Sequence, residues 1–147
     1  MSMISVAEAH ERLARHHLLL TGHEAIRLEG CLGRILAVDI VSGINVPPQD
    51  NSAMDGFALL TDDWQGPDQG LKISQRIVAG RPPEPLKEGT AARIFTVAEI
   101  PAGANTVVMQ EKTRSDGRMV WIEAIREPGG NIRPKGQDIR RGSTVLK

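Results

Sequence analysis

Gly and Pro punctuate this chain so densely beyond Gly22 that no long helix fits between the breaks. Of 147 residues, 15 are Gly and 9 are Pro, and every proline lies between Pro47 and Pro134. The stretches between the breaks are rich in Val, Ile, Thr and Phe: "GFALL", "LKISQRIVAG", "GTAARIFTVA", "NTVVMQE" and "RMVWIEAI". Residues of this kind suit a pleated, half-buried surface, so each run reads as a short strand. Their boundaries are turn chemistry, at Gly66-Pro67, Arg81-Pro82-Pro83, Pro101-Ala102-Gly103, Ser115-Asp116-Gly117 and Pro128-Gly129-Gly130. "EKTRSDGRMVWIE" is the clearest hairpin, with Asp116-Gly117 supplying the positive φ values of a type I′ turn. An irregular β barrel or folded sheet of short strands is expected.

One helix precedes this β region. Ser5 and Glu8 have the S-x-x-E spacing of a capping box, in which each side chain satisfies the other residue's N–H. Val6, Ala9, Leu13 and Leu20 recur near helical spacing, and Thr21-Gly22 supplies a stop, so the helix is expected from Ser5 to about Leu20. The fold class is therefore mainly β, α+β overall. With two Phe, two Trp and no Tyr, the core must be built from aliphatic side chains.

The same scarcity of rings argues against a surface that stacks nucleobases. Eighteen basic residues balance eighteen acidic ones, so the net charge gives no reason to expect a nucleic acid or an anionic membrane as partner. No segment approaches the roughly 18 apolar residues of a membrane span, and Glu and His interrupt the N-terminal stretch where a signal peptide would be apolar. Cys31 is alone, which excludes an intrachain disulfide and a Cys-rich zinc site. A cytoplasmic location is expected. His10, His16, His17 and His23 cluster on or near the helix without a nearby Asp or Cys to complete a ligand set, and they read as solvated. The P-x-x-P of "RPPEP" reads as a stiff connection between strands.

Chemistry concentrates in three stretches. "VPPQDNSAMDGFA" (46–58) packs Asp50, Asn51, Ser52, Asp55 and Gly56 into seven positions. Asp50 can cap a single turn and Gly56 can permit a left-handed exit. Asn51, Ser52 and Asp55 exceed what such a turn requires, so the stretch is either a well-made loop or a carboxylate presented to a polar ligand or a metal. In "GTAARIFTVAEIPAGANTVVMQE", Thr96 stands at a strand end, where it is either a plain β-former or a partner for an oxyanion or a sugar hydroxyl, and the next strand runs into Gln110-Glu111. "GGNIRPKGQDIRRG" sets Arg133, Lys135, Arg140 and Arg141 among glycines around Asp138, as an anion site or as a solvated loop. P-loop, dinucleotide, zincin and nucleophile-elbow motifs are absent.

Taken in order, "GRILAVDIVSGINVPPQDNSAMDGFAL", "GTAARIFTVAEIPAGANTVVMQE" and "GGNIRPKGQDIRRG" resemble the molybdopterin molybdenumtransferases, the MoeA and gephyrin E-domain family. The resemblance runs from about Glu24 onward. It implies an enzyme of molybdenum cofactor biosynthesis that inserts molybdate into adenylylated molybdopterin with release of AMP, dependent on Mg²⁺. It further implies a homodimer, with the molybdopterin adenylyltransferase as a further partner, in which this region forms one wall of an intersubunit cleft. Asp55, Thr96 and Arg133 match the family's functional aspartate, threonine and N-I-R arginine; Asn51, Ser52, Glu111 and Asp138 are implied on the substrate side, and no resident metal ligand is assigned. The implied organisation is an N-terminal helix (1–22), a linker domain (23–41 plus 143–147) and an inserted β domain (42–142). The helix would pack on an α/β domain outside this chain, whose final "STVLK" reads as the start of a strand, so a longer polypeptide is expected and this piece alone is expected to be inactive. A non-catalytic dimerisation or scaffold module of the same fold is the alternative. One departure stands out: the family reads T-G-A where this chain has Thr96-Val97-Ala98, placing a β-branched residue where Gly is free.

Overall fold

A computed structural model describes residues 3–16, 22–125 and 127–147. The chain divides into two compact units, residues 1–38 and 39–147. In the first, Ser5 caps helix α1 (Val6–Arg15) by accepting the Glu8 N–H at 3.1 Å. Glu8–Arg12 and Glu11–Arg15 form i,i+4 ion pairs along it. The helix stops at Arg15, where the His16 N–H bonds the Leu13 carbonyl, and residues 17–21, the remainder of the expected span, lie outside the described residues. None of its ten residues is buried. Between Gly22 and Val38 the chain forms a 3-10 turn at Leu28–Gly30 and a hydrogen-bonded turn at Cys31–Arg34, and no strand. The alternating "EAIRLEG" makes no strand, because nothing within this unit offers its backbone a ladder.

Apart from two 3-10 turns, at Thr61–Asp63 and Gln110–Lys112, the regular structure of the second unit is β. Its strands are β1 (Ile40–Val41), β2 (Asn51–Ser52), β3 (Gly56–Leu59), β4 (Gly70–Ile77), β5 (Thr90–Ile94), β6 (Thr106–Met109), β7 (Thr113–Ser115), β8 (Met119–Ile122), β9 (Ile132–Arg133) and β10 (Thr144–Leu146). Six of them form one mixed sheet in the order β6-β3-β5-β4-β8-β7, in which only β4 and β5 run parallel. Two small antiparallel ladders, β1–β10 and β2–β9, complete the unit. All five runs that read as strands are strands, and the fold is mainly β with one helix, as the punctuation implies.

β3 lies second from one edge of the sheet, between β6 and β5, and is buried on both faces. Because side chains alternate, Phe57 and Leu59 enter one cluster with Leu71, Val120 and Ile122, while Ala58 enters another with Ile77, Ile94 and Val107. Each fully buried Leu or Ile contributes about 1.5–3 kcal/mol. Phe57 is the single aromatic among the buried core residues described.

Two turns depart from their expected form. In the β7–β8 hairpin only Gly117 has positive φ, so the turn is not type I′. The Asp116 carboxylate instead accepts the N–H groups of Arg118 and Met119, at 2.8 and 2.7 Å, and holds its own backbone in an ordinary conformation. Gly56 does not adopt a left-handed conformation either. It is needed because a Cβ there would sit 2.0 Å from the Val108 carbonyl oxygen of β6.

Candidate functional site

The "DNSAMDG" stretch is where distant segments meet. Asp50 caps no local turn; its carboxylate accepts the Lys135 N–H at 2.7 Å, and its carbonyl accepts the Ile100 N–H. Asn51 pairs with Arg133 and Ser52 with Ile132 across the β2–β9 ladder. Ser52 also exchanges backbone bonds with the 97–98 turn, donating to the Ala98 carbonyl and accepting from the Val97 N–H, each at 2.9 Å. The Ser52 hydroxyl is fully buried and donates to the Met54 carbonyl at 2.6 Å, closing the corner that delivers Asp55. The Asn51 side chain is buried as well, and its amide oxygen has no hydrogen-bond partner among the described residues.

Asp55 stands half-buried at the mouth of β3, with its carbonyl accepting the Gln110 N–H at 2.9 Å. Its Oδ1 accepts both the Thr96 N–H, at 2.8 Å, and the Thr96 hydroxyl, at 2.7 Å. These two bonds, the backbone one foremost, hold the Asp55 carboxyl below its ordinary pKa of 3.8; the Arg93 guanidinium adds to the effect and partial desolvation opposes it. The group is a carboxylate at neutral pH. Both Thr96 donors are spent on Asp55, so Thr96 acts here by holding that carboxylate, and Oδ2 accepts no hydrogen bond from the described residues.

Val97 takes φ 69° in this turn, so the left-handed conformation that Gly would adopt freely is kept and a β-branched residue bears it. Backbone bonds on both sides of it, Val97 N–H to Ser52 O and Ala98 N–H to Phe95 O, fix the conformation. Thr96 therefore still reaches Asp55.

The remaining residues lie around this centre. Arg133 is tied to the loop through its pairing with Asn51, and its guanidinium bonds Asp138 at 2.9 Å, with both side chains close to half exposed. Glu111 is exposed, and its carboxylate accepts the Gln110 side-chain amide at 3.3 Å. The structure thus joins Asn51, Ser52, Asp55 and Thr96 into one hydrogen-bonded assembly. Arg133 with Asp138 sits at one end of the loop, and Glu111 follows the residue that bonds Asp55.

Arg93 escaped the sequence reading. It bonds the Gly56 carbonyl at 2.8 Å and Gln110 Oε1 at 2.7 Å, and stacks on the rings of Phe57 and Phe95. A lone charge inside the apolar run "TAARIF" was the available signal, since an Arg in a buried strand needs partners. Among the described residues no group of three or more His, Cys, Asp or Glu could hold a metal ion, and no helix is long and apolar enough to cross a membrane.

Comparison with known proteins places this geometry in a family. The sequence profile described as "MoeA N-terminal region (domain I and II)" matches residues 4–147. The chain belongs to the MoeA N-terminal family. It is 36% identical over 148 residues to a molybdopterin molybdenumtransferase of Haemophilus influenzae, covering 99% of this chain and 36% of that protein. A protein of the same name from Nostoc is 39% identical over 128 residues, covering 84% of this chain and 29% of the relative. Among solved structures, a molybdopterin biosynthesis MoeA protein from Pyrococcus horikoshii superposes with TM-score 0.80 at 31% identity, over 99% of this chain and 38% of that one. The MoeA-family chain described here thus spans about a third of the length of the relatives it matches.

Proposed function

We propose that this chain is the N-terminal part of a molybdenum cofactor biosynthesis enzyme that inserts molybdate into adenylylated molybdopterin and releases AMP. The observation that carries the reading is the Asp55–Thr96 pair: an ionised carboxylate with one oxygen held by two donors and the other accepting no hydrogen bond from the described residues, at the junction of the three motif-bearing stretches. Asp55 would orient a water or substrate group. Thr96 and Ser52 would fix it in place, Arg133 with Asp138 would balance substrate charge, and Asn51 and Glu111 would line the substrate side of one wall of a cleft shared between two subunits of a homodimer. The molybdopterin adenylyltransferase would supply the adenylylated substrate in the cytoplasm.

Mg²⁺ fits this donor set only in one mode. A single carboxylate oxygen cannot cage the ion, but Mg²⁺ commonly keeps most of its waters and binds through one or two carboxylates together with substrate phosphates. Asp55 would hold it that way, and the ion would neutralise phosphate charge. The test is Asp55→Asn in a polypeptide that carries this chain joined to the rest of the family's length. Molybdenum insertion should fall while the circular dichroism spectrum and melting temperature stay close to the parent's; unchanged insertion would remove Asp55 from the machinery and favour a scaffold role.

A further inference from the structure

The register of the parallel pair β4–β5 sets Arg76 directly beside Arg93. Both guanidiniums stack on the same ring, Phe95, at 4.7 and 4.5 Å from its centroid. Like charges at paired positions of a sheet repel, and neither arginine takes part in an ion pair among the described residues. The two differ in what remains for a ligand. Arg93 is anchored by Gly56 and Gln110, whereas Arg76 is exposed and donates no hydrogen bond within the described residues. Both line a hollow of about 520 Å³, together with Phe57, Gln110, Thr113 and Ser115. That size suits a small ligand. The hydroxyls of Thr113 and Ser115 are already committed to the Gln110 and Met119 carbonyls, so they shape the hollow without adding donors. Gln110 connects it to the site described above, since its N–H bonds the Asp55 carbonyl while its side-chain oxygen holds Arg93.

We propose that the Arg76–Arg93 pair binds a tetrahedral oxyanion in this hollow. Arg76 supplies an unspent guanidinium fork, suited to two oxygens of such an anion, and Arg93 supplies a second, immobilised charge. Phe95 holds both planes, which reduces the side-chain freedom lost on binding. The charge repulsion between the neighbours is the standing cost that an anion removes. Two sources share this chemistry: a free oxyanion such as molybdate, and the phosphate of a nucleotide monoester. Which of them arrives rests on the transferase reading; the existence of the site does not.

The test follows backbone amide resonances of this chain at low ionic strength during separate titrations with sodium molybdate, inorganic phosphate and AMP, each against a sodium chloride control of equal ionic strength. Shifts confined to Arg76, Arg93, Phe95 and Ser115 are expected, with affinity about tenfold weaker in Arg76→Gln, as for one lost charge-assisted contact in a partly solvated site. Arg76 is chosen because it is exposed and donates no hydrogen bond among the described residues, so its replacement costs the fold only its stacking on Phe95. Binding of molybdate and phosphate alone supports the free-oxyanion source, and binding of AMP alone supports the nucleotide source. The proposal is overturned if none of the three shifts these amides beyond the chloride control, or if Arg76→Gln binds as the parent does. Loss of insertion on Asp55→Asn combined with no anion binding here would keep the transferase reading and remove this site; the opposite pair of results would do the reverse.

Discussion

Val97→Gly should stabilise the β unit. Val97 has φ 69°, and for a side-chain-bearing residue the left-handed conformation costs about 1–2 kcal/mol. Its side chain is 59% exposed, so deleting it removes little buried area. Gly recovers the strain but gives the unfolded chain more freedom, a loss of about 0.4–1 kcal/mol. The difference leaves a net gain of about 0.5–1 kcal/mol, which for a domain of this size raises the melting temperature by about 2–5 °C. Urea unfolding followed by tryptophan fluorescence gives the same quantity as a shift in midpoint at constant slope. Val97→Ala serves as the control: without the β-branch but still with a Cβ, it should gain less than Gly. If Val97→Gly leaves the midpoint unchanged or lowers it, the backbone at 97 is not strained as described.

Other consequences follow from the same geometry. Because the folded Asp55 pKa lies below the ordinary 3.8, its bonds to Thr96 contribute fully above that value and are lost as pH falls through the folded value. Asp116 behaves alike through the N–H groups of Met119 and Arg118. Stability measured from pH 5 down to pH 2 should therefore fall less steeply in Asp55→Asn than in the parent, and an identical slope would show that the two states of Asp55 are equally stabilised. Gly56→Ala forces a Cβ to 2.0 Å from the Val108 carbonyl and must part β3 from β6, so a loss of about 3 kcal/mol or a failure to fold is expected from overpacking; a midpoint within the error of the parent's would disprove that close approach. Helix α1 buries none of its ten residues, and isolated helices of that length are marginal. Hydrogen exchange over Val6–Arg15 should run far faster than over β3 and β5, and Ser5→Ala, which deletes the cap, should speed it further; core-level protection in dilute monomer would contradict this.

Much of the architecture was legible because turn residues and β-branched runs act locally. Five strands and the Ser5 cap could be read from residues a few positions apart. Long-range partners were not, for physical reasons. The role of Asp50 depends on an N–H 85 residues away. Gly56 was legible as a necessary glycine, but its reason, the carbonyl of β6, belongs to the pairing of strands. The strain at Val97 could be foreseen from its departure from T-G-A, since a backbone conformation can outlive the residue that favours it. The family resemblance marked Asp55 and Thr96 separately, but their contact, which spends both Thr96 donors on one carboxylate oxygen, was not legible, because it joins residues 41 positions apart. The side-by-side placement of Arg76 and Arg93 requires the register of two parallel strands, which no spacing along the chain encodes.

The β1–β10 ladder has a mechanical meaning. Its two strands lie at the beginning and the end of the β unit and run antiparallel, so the first and last strands of the unit are side by side and point in opposite directions. A stem of two and three residues thus closes the unit. Tension applied across that stem peels its few hydrogen bonds one after another and reaches the six-stranded sheet only afterwards. The stem is a release point: behind it the Val46–Ile139 bridge and the β2–β9 ladder must also part before any load reaches β3 and the Asp55 corner.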